Sequence, residues 1–159
     1  MARPPKTLSE QIRAMARDWP AFEAVQFSPR HVTWCGPLTP LARPYMVTID
    51  YTLVSGTARP EEPLAGIPLV RVLSPCLEQN WNVLEEAPLP HVYFDSADIS
   101  RSALCLFDPA MGQWSPADLI AFTTIYWALD WLQCYEGWQA TGRWFGGGRH
   151  APRLEQAQS

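Results

Sequence analysis

Apolar and polar positions alternate most cleanly over residues 45–54, YMVTIDYTLV, where Tyr45, Val47, Ile49, Tyr51 and Leu53 interleave with Met46, Thr48, Asp50 and Thr52. A period of two predicts a strand with one buried face. Residues 30–35 (RHVTWC), ending at Gly36-Pro37, and residues 69–73 (LVRVL), stopping at Ser74-Pro75, give two more strands. The Pro- and Gly-bearing turns between them suit a meander of antiparallel strands. Ahead of the strands, Thr7 or Ser9 can cap a helix running to about Asp18. Glu10 lies in its first turn, Ile12, Met15 and Ala16 share one face, and Trp19-Pro20 ends it.

Between Pro75 and Pro116 this order lapses. The stretch is polar and punctuated by proline, with short apolar pieces around 92–94 and 104–107. A long irregular segment inside a compact domain is usually functional. A strong helix signal follows. Ser115 caps, Pro116 takes the first helical position and Asp118 stands three residues after the cap. Residues 119–135 are apolar almost all round, which predicts a largely buried helix with Gly137 as its stop. The aromatic stripe Phe122, Tyr126, Trp127, Trp131 and Tyr135 reads as core. WQATGRWFGGGRH beyond it reads as an irregular cap, and residues 151–159 as a frayed terminus. The expectation is one α+β domain over residues 1–150: N-terminal helix, antiparallel meander, irregular segment, buried C-terminal helix.

Composition narrows the function classes. The chain has 159 residues, enough for one real core, and its 47% hydrophobic content with eight tryptophans argues against disorder. A net charge of −4 without a Lys/Arg cluster argues against nucleic acid or an anionic membrane as partner. No apolar run reaches the roughly 20 residues that span a bilayer, and MARPPKTLSEQIRAMARDWP lacks the apolar core of a secretory signal. The expected location is the cytoplasm, where Cys35, Cys76, Cys105 and Cys134 stay reduced. Their spacing offers no zinc site, and Gly146–Gly148 lacks the lysine and strand–helix context of a phosphate loop. No cofactor or metal is expected.

Cys105, between Leu104 and Leu106, has neighbours that set it apart from an ordinary buried thiol. His91 precedes it in Pro90-His91-Val92-Tyr93, Asp108 follows, and Trp114-Ser115-Pro116 closes the segment. Read in order with Gly36-Pro37, the alternating strand and the proline-flanked strand, these residues resemble the ubiquitin-conjugating enzyme core. In that core a His-Pro-Asn motif precedes an active cysteine in a Leu-Cys-Leu-Asp setting, and Trp-Ser-Pro precedes a helix. The likeness covers residues 7–135. A bacterial branch is more similar still, sharing P-H-x-Y, L-C-L, the Trp127–Trp138 pattern W-A-x-x-W-L-x-x-Y-E-x-W, and T-G-x-W-x-G-G-G-x-H over Thr141 to His150. Such proteins occur in CBASS antiphage operons, either fused to an activating enzyme or alone, and this chain is similar to the stand-alone kind.

The resemblance implies a ubiquitin-conjugating-enzyme-like (UBC) fold with Cys105 as nucleophile. The acyl donor would be the C-terminus of a cGAS-like nucleotidyltransferase or a ubiquitin-like protein, with or without an activating enzyme, and the acceptor a lysine amine on a target. His91 would brace the active-site loop and Trp114 would anchor the segment presenting the cysteine. The asparagine of the family motif is missing. Tyr93, Ser100, Ser102 or backbone N–H groups stand as substitutes to support the oxyanion, and Asp95, Asp98 and Asp108 as candidates to orient or deprotonate the amine. Two alternatives are an inactive variant that only binds a partner, and a cysteine isopeptidase using Cys105, His91 and an aspartate.

Overall fold

The structure, a computed structural model, describes residues 1–54, 64–83 and 86–146. The expected terminal tail of residues 151–159, and Gly147 to His150, lie outside the described residues. Helix α1 (Leu8–Asp18) starts at Thr7, whose hydroxyl accepts the Glu10 N–H while the Glu10 carboxylate accepts the Thr7 N–H. This reciprocal box settles the choice between Thr7 and Ser9. The buried face is Leu8, Gln11, Ala14 and Met15; Ile12 is half-buried and Ala16, expected inside, is exposed.

Among the described residues six antiparallel strands form one sheet: β1 (Glu23–Phe27), β2 (His31–Leu38), β3 (Tyr45–Thr52), β4 (Leu69–Ser74), β5 (Val92–Tyr93) and β6 (Ala103–Leu104), in the order β1-β2-β3-β4-β6-β5. Every residue of β1 is exposed, so no alternation marks it in the sequence. Strand β2 does not end at Gly36-Pro37 but continues through it to Leu38, paired with β3. Beyond Cys35 the other side of β2 has left its β1 partner, so Pro37 withholds no ladder hydrogen bond there. Gly36 is needed because a Cβ would come within 2.5 Å of the Phe22 ring.

Tyr45, Val47, Ile49 and Tyr51 of β3, with Val70 and Val72 of β4, turn one sheet face into the core. Helix α2 (Thr124–Thr141) belongs to the same core, its Tyr135 ring lying 6.5 Å from Tyr45. The helix departs from expectation at both ends. The Ser115–Asp118 turn forms, with the Asp118 carboxylate accepting the Ser115 N–H and hydroxyl, but the chain then extends at Leu119 and passes a short 3₁₀ turn (Ile120–Phe122) before α2 begins. Gln11 explains the interruption. Its fully buried amide donates to the Asp118 carbonyl (2.8 Å) and accepts the Ile120 N–H (3.0 Å), taking the backbone groups a helix would have used. At the far end α2 passes through Gly137 and stops at Gly142, in the left-handed region at φ 74°. The aromatic stripe divides likewise: Trp131 and Tyr135 are buried, Trp127 is half-buried, and Phe122 and Tyr126 are 53% and 52% exposed. Among the described residues no helix is long and apolar enough to cross a membrane.

Candidate active site

The irregular segment is held against α2 by side chains that bond its backbone. Tyr135 accepts the Glu78 N–H at 2.7 Å, and one turn earlier the Trp131 indole N–H donates to the His91 carbonyl at 2.9 Å. The two rings stack, 5.5 Å apart and 12° from parallel. The His91 carbonyl also accepts the Cys105 N–H at 2.9 Å, so one oxygen ties the cysteine's backbone to helix α2. His91 sits at φ 45° and Glu86 at φ 60°, a conformation that costs a side-chain-bearing residue free energy and persists only where neighbours fix it. Those neighbours are visible. The His91 side chain is 7% exposed, its Nε2 lies 3.8 Å from the Glu86 carboxylate, and its ring lies 4.9 Å from that of Trp144.

Cys105 is the residue immediately after β6, half-buried, with its thiol 3.8 Å from the Phe107 carbonyl oxygen. It opens on a cleft of about 640 Å³ between this segment and α2. His91, Leu106, Phe107, Asp108, Met111, Gln113 and Trp144 line it with Trp127, Asp130, Trp131 and Cys134 from the helix, and Gly146 closes the rim. A Cβ on Gly146 would fall 2.7 Å from the Trp144 indole nitrogen and 3.0 Å from the Cys134 sulfur, so the first glycine of the run lets the chain close over both. Burial, and then the Asp130 charge, push the thiol pKa of Cys134 up, which disfavours the reactive thiolate there.

A family model described as type II CBASS E2 protein matches residues 11–151. The chain belongs to this family. No curated protein gives a match. The α+β arrangement of N-terminal helix, antiparallel sheet and C-terminal helix is compatible with an E2-like fold, and membership implies an E2-like role within CBASS.

In this CBASS E2 the residues singled out from sequence fall into three groups. Cys105, His91 and Asp108 share the cleft. Tyr93 stands against the cysteine from β5: burial first, then the charge of Cys105 and a hydrogen bond with it, then Asp108, push the phenol pKa far above its ordinary value. Tyr93 therefore keeps its proton and can act as a donor but not a base.

The rest are occupied elsewhere. Buried Ser102 accepts the Asp95 N–H at 2.9 Å, and the Ser100 hydroxyl donates to Asp98 at 2.6 Å. Asp95 caps the turn at Ala97 and Asp98, and Asp98 caps the 3₁₀ turn Ile99–Arg101. Trp114 lies in the core beneath the segment, edge-on to Tyr51 at 5.7 Å. Sequence reasoning missed Trp131, Asp130, Glu86 and Trp144 as parts of the site. A 3.6-residue count along α2 puts Trp127, Asp130, Trp131 and Cys134 on one face, but nothing in the pattern says that the face meets Cys105.

Proposed function

We propose that this CBASS E2 carries an acyl group as a thioester on Cys105 and passes it to an amine. The donor on this reading is the C-terminus of a cGAS-like cyclic-oligonucleotide synthase. The observation that supports it most is the position of the thiol: at a strand end, half-buried, on the wall of a cleft of about 640 Å³. A thiolate attacking an already activated acyl group needs little further help, so an ordinary cysteine suffices for loading. In the transfer step the Tyr93 hydroxyl donates to the developing oxyanion. His91 holds the backbone of Cys105 through its carbonyl.

The test is to incubate the protein with a labelled thioester of the synthase's C-terminal peptide. The expected product is a covalent adduct released by reducing agent, converted to a reductant-stable ester in Cys105→Ser and lost in Cys105→Ala. An adduct that persists in Cys105→Ala puts the chemistry elsewhere. An inert Cys105 favours a scaffold that only binds, and turnover of the thioester without an amine favours the isopeptidase reading.

A further inference from the structure

The acids around the cleft are not equivalent. Asp95 accepts two backbone N–H groups and faces Arg101 at 3.5 Å, Asp98 caps a 3₁₀ turn, and Asp108 takes the Ala110 N–H at 2.9 Å. Asp130 differs. It lines the cleft from an exposed position on α2, and among the described residues its carboxylate has no hydrogen bond or ion pair. Its charge reaches into the cleft, since together with burial it pushes the Cys134 thiol up. Among the described residues no lysine or arginine lines the cleft to neutralise it. Phe107 and Trp127, with ring centroids 5.4 Å apart, form an aromatic wall beside it.

We propose that Asp130 binds the acceptor: it receives the ammonium group of a primary alkylamine whose methylenes lie along Phe107 and Trp127, and directs the nitrogen at the acyl group on Cys105. An aromatic face and a carboxylate both favour a cation on an apolar stem over a neutral or anionic nucleophile. This rests on the reading of Cys105 as the acyl carrier.

In the step itself the ammonium gives one proton to the Asp130 carboxylate, from which it passes to water. The freed lone pair forms the C–N bond, the C–S bond breaks, and its electron pair leaves on sulfur. The second proton of the nitrogen ends on that thiolate. The products are an amide, the Cys105 thiol and one released proton.

The discriminating experiment loads the protein with a fluorescein-labelled, glycine-ending peptide thioester. The adduct is then chased with either Nα-acetyl-lysine amide or hydroxylamine, which is uncharged at neutral pH. Asp130→Asn is expected to load like the wild type and to discharge to lysine about tenfold or more slowly. Its discharge to hydroxylamine is expected to be unchanged, and Asp130→Glu to recover part of the lysine rate. Wild-type lysine discharge in Asp130→Asn overturns the proposal, as does an equal slowing with both nucleophiles, which marks a displaced cysteine. Failure of the wild type to load at all removes the reading of Cys105 itself, and the role of Asp130 with it.

Discussion

The sheet-and-helix frame and the segment from Pro75 to Pro116 are held together by different physics. Val47, Ile49 and Val70 of the sheet and Ile125 and Leu132 of α2 are fully buried, so the frame rests on apolar area removed from water. The segment has two-residue strands and 3₁₀ turns, and its order comes from side chains that satisfy backbone groups: Asp95, Asp98, Ser102 and Asp108 from within, Trp131 and Tyr135 from α2. Each such bond is worth about 1 kcal/mol net, against 2–5 for a buried aliphatic side chain. The frame thus sets stability, while the segment sets where Cys105 points and is the part expected to open first.

The largest effect should come from the frame. Leu132→Ala removes a fully buried side chain from α2 and is expected to cost roughly 2–5 kcal/mol in urea unfolding, with sheet and cleft lost in one transition. Two separate transitions would break the comparison, because the segment would then be a unit of its own. Next is Gln11→Ala, which leaves the Asp118 carbonyl and Ile120 N–H without their partner. Its expected cost is roughly 2–3 kcal/mol, the penalty for unpaired buried backbone groups. A change well under 1 kcal/mol would mean that water replaces the amide.

Trp131→Phe tests the segment. It keeps a ring against Tyr135 but removes the indole donor to the His91 carbonyl. The expected loss is about 1 kcal/mol of global stability. Iodoacetamide labelling of Cys105, followed by mass spectrometry, should change more than that small loss explains. Labelling that tracks global stability alone would show that the carbonyl bridge does not hold the site.

The same division explains what the sequence disclosed. Strand β3 was legible because one buried face forces alternation, and the order of Cys105, His91 and Trp114 was legible through family resemblance. Strand β1 was not, since both its faces are exposed and select nothing. The delayed start of α2 was invisible because its cause, Gln11, is 107 residues away from Asp118 in the chain and reads locally as a surface glutamine. Asp130 and Trp131 lie in a helix that looks like plain core until the segment is folded onto it.

The smallest effect sits on a single cap of the segment. The Ser100 hydroxyl and N–H both donate to the Asp98 carboxylate, at 2.6 and 3.0 Å, and with a smaller contribution from Arg101 they hold its pKa below the ordinary aspartate value. In the unfolded chain that value is about 3.9. A depressed carboxylate stabilises the state that depresses it when ionised, so its contribution is complete above pH about 4 and disappears as the pH falls through the lower, folded value. Loop opening, followed by amide exchange at Ser100, should therefore become easier on acidification below about pH 4 in the wild type. In Asp98→Asn the loop should be looser throughout and lose that pH dependence. The same acid response in the variant would assign the titration to another group.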